Sequence, residues 1–109
     1  MKSECLNLLN DDSDDKYNCL NQVRNRAGLD PILKSQNLSK EQFSDTLLEE
    51  RLHELCCEHL RRWDLLRFGK LAEQVKKVYG IDIKDYQTLY PIPQSALDAN
   101  NTLTQNPGY

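Results

Sequence analysis

The densest concentration of potential chemistry in this 109-residue chain is the run Glu50-Arg51-Leu52-His53-Glu54-Leu55-Cys56-Cys57-Glu58-His59. His53-Glu54 starts the zinc-protease pattern, in which a second histidine four residues later binds metal from the same helix face. Here that place is held by Cys57. A thiolate binds zinc, but catalysis also requires a third ligand and an open coordination position, and nothing distant in the chain supplies a distinctive third ligand. Glu50 and His53 form half of a di-iron Glu-x-x-His signature; that chemistry requires a second copy on another helix and two more inward carboxylates, and no second copy exists. The sequence therefore predicts no metal and no cofactor. His53 is expected in solvent, and His59 on a packing face as a neutral, hydrogen-bonded imidazole.

Other catalytic constellations fare no better. Glu54 and Glu58, one turn apart and flanked by arginines, suit a salt-bridge network; a glycosidase needs its two carboxylates on opposite sides of a cleft. There is no nucleophile elbow, and four glycines supply no phosphate-cradling loop. The reading is of a chain that is not an enzyme. Asp11, Asp12, Asp14 and Asp15 form an acidic run, but the EF-hand spacing with its central glycine and terminal glutamate is absent, so a solvated loop or helix N-terminus is expected. Cys5, Cys19, Cys56 and Cys57 contain no Cys-x-x-Cys pair. Adjacent cysteines on a helix diverge by roughly 100°, so a Cys56–Cys57 bridge would be strained, and most of the four are expected as small buried hydrophobes. Trp63 falls on an apolar stripe and is read as core, and Tyr86, Tyr90 and Tyr109 are not assigned as sugar platforms.

The elements that must hold these residues are helices. A helix is expected from about Asp14 to Ala27 with Tyr17, Leu20 and Val23 on one face, ended by Gly28 as a left-handed cap and closed by Asp30-Pro31. Ser39 and Gln42 make a capping box. A long helix is expected from about Lys40 to Phe68, with Leu48, Leu52, Leu55, Cys56, His59, Trp63 and Leu66 along one arc and Glu50, Glu54, Glu58 and Arg61 on the other side. Glu58 and Arg62 would pair one turn apart. Gly69 ends or bends this helix, and a shorter one runs Lys70 to Val78 and stops at Gly80. Ile81 to Leu89 reads as a strand or extended loop, Tyr90-Pro91-Ile92-Pro93 as non-helical, Ser95 to Asn100 as one helical turn, and Asn106-Pro107-Gly108 as a turn.

The fold class is thus all-α, a helical hairpin with short helices and a long irregular C-terminal tail. At 109 residues the chain holds one small domain at most, and one hairpin leaves a face in need of a neighbour. Fourteen basic against 17 acidic residues give a net charge of −3, too mixed to imply nucleic acid or an anionic membrane. No apolar stretch is long enough to span a bilayer, and the start lacks the core of a signal peptide. The chain is expected to be a piece of a larger binding protein; the competing readings are a free-standing helical interaction module and a metal-dependent enzyme built on His53, Cys57 and Glu50.

Leu48-Glu49-Glu50-Arg51-Leu52-His53-Glu54-Leu55 and then Glu58-His59-Leu60-Arg61-Arg62-Trp63-Asp64-Leu65-Leu66-Arg67-Phe68-Gly69-Lys70 closely resemble the C-terminal signature of the SusD/RagB family. Asn21 to Leu29 resembles the helix end that precedes that signature. Tyr90-Pro91-Ile92-Pro93-Gln94-Ser95, Asp98-Ala99-Asn100 and Leu103 to Tyr109 resemble the family's terminus. Two positions depart: His59 stands where a glycine is usual, and Asn101-Thr102 where a proline is frequent. The resemblance implies residues 1–109 of a SusD-like, tetratricopeptide-type helical protein lacking its N-terminal part. It implies a surface-exposed outer-membrane lipoprotein of Bacteroidetes-type bacteria that binds an oligosaccharide or other nutrient without chemistry and works with a SusC-like TonB-dependent transporter. The export signal and lipidated cysteine would lie upstream, and Cys5 is not that cysteine. No ligand-binding residue is carried over. Glu50, Arg51, Glu54, Glu58, Arg61, Trp63, Asp64, Arg67 and Gly69 form the structural signature. Its arginines are expected to tie the long helix to the tail and to adjacent helices through charge-assisted bonds.

Overall fold

The computed structural model describes residues 2–109 and contains helices and 3-10 turns, with no strand among the described residues. The chain falls into two units, one ending at Arg61 and one running Arg62–Tyr109.

In the first unit, α1 (Lys2–Leu8) packs on α2 (Asp14–Arg26) and α3 (Lys40–Glu54). No apolar periodicity marks α1, because its leucines do not make an inward stripe. Its buried residues are Ser3, Glu4 and Asn7, while Leu8 and Leu9 stand 60% and 75% exposed. The polar side is held by specific bonds: Ser3 Oγ donates to the Lys16 carbonyl at 2.7 Å, and Asn7 Nδ2 donates to the Lys40 carbonyl and to Ser44 Oγ, both at 3.0 Å. Lys40 Nζ donates to the Leu8 carbonyl at 2.9 Å, so a cation meets the negative end of α1.

The acidic run lies at the start of α2, as the spacing suggested. Asp11 accepts the Ser13 backbone N–H at 2.7 Å, and Asp12, Asp14 and Asp15 each face a lysine (Lys16, Lys34 and Lys2). At the other end, the Gly28 N–H donates to the Asn25 carbonyl and the Leu29 N–H to the Arg24 carbonyl, which closes α2 with a Schellman motif. The connector to α3 is clamped by one side chain. The Asn21 carboxamide donates to the Ile32 carbonyl and accepts the Ile32 N–H, at 2.9 and 2.8 Å. Ser39 and Gln42 form the expected capping box at the start of α3.

The core of this unit is Tyr17 and Leu20 from α2 against Phe43 and Leu47 from α3, with Ile32 and Leu38 packed on it. The Tyr17 and Phe43 rings meet edge to face at 5.2 Å. Phe43 is fully buried, which contributes about 1.5–3 kcal/mol from apolar area alone.

The expected helix from Lys40 to Phe68 is interrupted. α3 ends at Glu54, a turn occupies residues 55–59, and α4 (Arg61–Arg67) follows. Cys57 and His59 adopt left-handed backbone, φ 67 and 58, which no α-helix accommodates. The break removes the apolar arc assumed from sequence: Cys56 and His59 are exposed, and Trp63 is 55% exposed. It also separates Glu58 from Arg62, so the expected pair one turn apart does not form on a common helix. Glu50, assigned to the outer side, is buried.

In the second unit, α4 ends at Gly69, φ 67, with the Gly69 N–H donating to the Leu66 carbonyl and the Lys70 N–H to the Leu65 carbonyl. A left-handed residue is required there, and glycine takes it without a Cβ penalty. α5 (Leu71–Tyr79) stops at Gly80. The strand considered for residues 81–89 is instead coil with a 3-10 turn, Asp85–Thr88, and α6 (Gln94–Ala99) covers the short turn expected after the prolines.

Candidate functional site

The signature residues serve two separate bonding networks, one in each unit. In the first unit, Arg24 near the end of α2 donates from Nη1 to Glu50 Oε2 at 2.6 Å, and from Nε to the Asp30 carbonyl at 2.8 Å. One guanidinium thereby ties α3 and the connector to α2, using the fork geometry that a lysine lacks. Arg26 pairs with Glu54 one turn further along α3. Arg61, the last residue of this unit, donates to the Leu48 carbonyl at 2.7 Å and closes the 55–60 segment back onto α3. Arg51 is half-buried and lines, with Glu50 and Glu54, a cavity of about 360 Å³ whose other walls include Leu20, Val23 and Leu47.

In the second unit, Asp64 is buried and accepts from Arg67 Nη2 at 3.0 Å, and the Arg67 guanidinium lies 4.8 Å from the Phe68 ring. Arg62, which the signature reading passed over, binds the irregular segment. Its Nη2 donates to the Gln87 and Thr88 carbonyls at 3.1 and 3.3 Å, and its guanidinium sits 4.5 Å above the Tyr90 ring. Trp63 meets the edge of the same ring at 6.0 Å. The terminal residues are pinned to this segment by side chains: Gln105 exchanges both hydrogen bonds with the Ile92 backbone, Asn106 donates to the Tyr90 carbonyl, and Tyr109 Oη donates to the Leu89 carbonyl at 2.8 Å. Prolines 91 and 93 offer no N–H, so these amide and phenol groups bond the backbone where no ladder forms.

The candidate ligands are dispersed in this geometry. Glu50 is engaged by Arg24, His53 is exposed with Glu49 at 3.8 Å, and Cys57 and His59 lie in the turn rather than on a helix face. Among the described residues no three histidine, cysteine, aspartate or glutamate side chains gather as a metal site. His59, expected as a packed imidazole, is in solvent, and its φ of 58 explains why glycine is the usual residue there. Glu58 is exposed in the same turn. The cysteines are free thiols, with Cys5, Cys56 and Cys57 exposed and Cys19 partly so, rather than mostly buried. The Cys57 thiol is pushed up from its ordinary range by its hydrogen bond with, and the charge of, Cys56.

Sequence reasoning missed Arg24, Arg26, Asn21, Arg62 and Gln105. The first three lie in the Asn21–Leu29 block, whose resemblance was legible but whose partners, 6 to 28 residues away, were not.

The chain matches the sequence model described as the SusD family over residues 1–109. It is 31% identical over 113 residues to SusD-like protein P25 of Formosa agariphila, covering 97% of this chain and 21% of that protein. It is 30% identical over 97 residues to the starch-binding protein SusD of Bacteroides thetaiotaomicron, covering 83% of this chain and 16% of that protein. It is also 31% identical over 120 residues to SusD-like protein P2 of Formosa agariphila, 98% of this chain and 23% of that one. The chain thus spans about a fifth of the length of these relatives. No solved structure matches it.

Proposed function

The chain belongs to the SusD family, and from that membership we propose that it is the C-terminal, mainly architectural part of a non-catalytic glycan- or nutrient-binding subunit. On this reading the parent protein is a lipoprotein on the outer surface of the outer membrane, where it hands its ligand to a SusC-like TonB-dependent transporter. The observation that carries the architectural role is the Arg24–Glu50 and Arg26–Glu54 pairing, which consumes the ligand-dense helix in holding α2 to α3.

Two further features favour a piece of a larger assembly. Leu8 and Leu9 at the end of α1, and Val78, Tyr79 and Ile81 at the end of α5, are largely exposed. Large apolar side chains concentrated at such ends suit packing against further chain. The relatives supply the remaining four-fifths of the length in which a ligand site would lie.

The test is fractionation of the native host carrying an epitope tag on the gene product. The product is expected in the outer membrane, cleavable by protease on intact cells, and co-purifying with a TonB-dependent transporter. Recovery from the cytoplasm, without a transporter, would overturn the proposal and favour a free-standing interaction module.

A further inference from the structure

The turn that interrupts the expected long helix places two thiols side by side. Leu55-Cys56-Cys57-Glu58 is a β-turn closed by the Glu58 N–H donating to the Leu55 carbonyl at 3.1 Å, with the cysteines at its two central positions. The second of these has φ 67, the positive value that a type II turn demands at that place. On a continuous helix the two side chains would point roughly 100° apart. Here the sulfurs are 3.8 Å apart and both residues are exposed.

We propose that Cys56 and Cys57 form a redox-active vicinal dithiol, which closes to a disulfide by exchange with a low-molecular-weight disulfide such as oxidised glutathione. One thiolate attacks a sulfur of the reagent, forming a mixed disulfide and releasing one reagent thiolate. The second cysteine, deprotonated, attacks the protein sulfur of that mixed disulfide and expels the other reagent thiolate. The two protons end on the two released thiolates; the cysteines together lose two electrons, and the reagent's sulfur–sulfur bond gains them.

The geometry favours a labile bond. Neighbouring Cα atoms lie about 3.8 Å apart across a trans peptide, closer than in most disulfides, and strained, exposed disulfides are the readily reduced, regulatory class. The shift of the Cys57 thiol agrees with the contact, since ionising one sulfur leaves the other holding its proton towards it. Neither cysteine takes part in the arginine–carboxylate locks, so oxidation and reduction leave those intact.

The experiment uses the 109-residue chain with Cys5→Ser and Cys19→Ser, equilibrated in glutathione buffers of rising oxidised fraction, acid-quenched and weighed intact. The expected product is a monomer lighter by two hydrogens. Adding Cys56→Ser or Cys57→Ser should abolish that product completely and leave a single glutathione adduct. A doubly glutathionylated chain, disulfide-linked dimers without the lighter monomer, or an unreacted dithiol at every ratio would each overturn the proposal. Phenylarsine oxide supplies an independent readout: the paired thiols should retain one phenylarsenical per chain through washing with monothiol, and either single variant should release it. Equal retention by a single variant would contradict the pairing.

Discussion

Arg24 Nη1 lies 2.6 Å from Glu50 Oε2, joining the end of α2 to α3 one turn before its end, with the carboxylate side chain 9% exposed and the guanidinium 20%. A pair so withdrawn from water does not by itself argue for high stability, because desolvation offsets much of the attraction. Removing one member is a different matter, since the other is left buried without its partner. Arg24→Ala is expected to cost about 2–3 kcal/mol in denaturant unfolding of the parent protein, discounted for the residual exposure of the arginine. Arg26→Ala, whose partner pair is more exposed, should cost less than 1 kcal/mol, roughly the range of surface pairs. Equal costs would contradict the ranking.

His59 occupies left-handed backbone with its side chain in solvent. His59→Gly should therefore stabilise the protein by about 0.5–1 kcal/mol, because glycine takes that conformation without steric penalty. A lower melting temperature would show that the imidazole makes a compensating contact.

Gly108 is held against an aromatic ring. A Cβ built there would stand 2.5 Å from Tyr86 Cγ, and φ is +95. Tyr86 is itself edge-on to Tyr109 at 5.0 Å, so the ring has little room to withdraw. Gly108→Ala is expected to destabilise by about 1–3 kcal/mol. Proteolysis of the terminus should accelerate in step; an unchanged cleavage rate would show that the terminal turn does not depend on this contact.

Asp11 supplies the pH-dependent element at the start of α2. Its carboxylate accepts the Ser13 N–H, and that bond, joined by one from the Ser13 side chain and aided by Lys16 and Lys34, holds its pKa below the ordinary 3.8. A depressed folded-state pKa means that the contribution is fully present above the ordinary value and is lost as pH falls through the folded one. Carboxyl carbon NMR should find Asp11 titrating below 3.8 in the native protein. Ser13→Pro, which removes both the N–H and the hydroxyl, should raise the midpoint towards the ordinary value; an unchanged midpoint would assign the shift to the lysines.

What the sequence made legible was local. The Ser39–Gln42 box, the Gly28 and Gly69 stops and the non-helical prolines are written in residues within four positions of one another, and each appears as expected. The break after Glu54 was invisible because neither glycine nor proline marks it; its left-handed positions are held by Cys57 and His59, whose types fit an apolar helical arc equally well. α1 was hidden because it turns serine, glutamate and asparagine inward. Of the candidate site, the family blocks were readable from their ordered motifs, but the partners of Glu50 and Glu54 were not, since tertiary proximity alone brings Arg24 and Arg26 to them. The role of Arg62 was hidden for the same cause: it and Trp63 are both in the motif and both meet Tyr90, and only the fold shows that Arg62 also bonds the Gln87 and Thr88 carbonyls.

If this chain supplies architecture alone, ligand binding by the parent protein survives the loss of one of its ties. The full-length parent protein and its Arg61→Ala variant, which loses the bond to the Leu48 carbonyl, are run by affinity electrophoresis through gels containing a panel of soluble polysaccharides. The account predicts that at least one polysaccharide retards both proteins equally without being shortened, while the variant melts at a lower temperature. Loss of retardation with unchanged melting would place Arg61 in the binding site. Shortened polysaccharide would make the protein an enzyme, and either result would contradict the account.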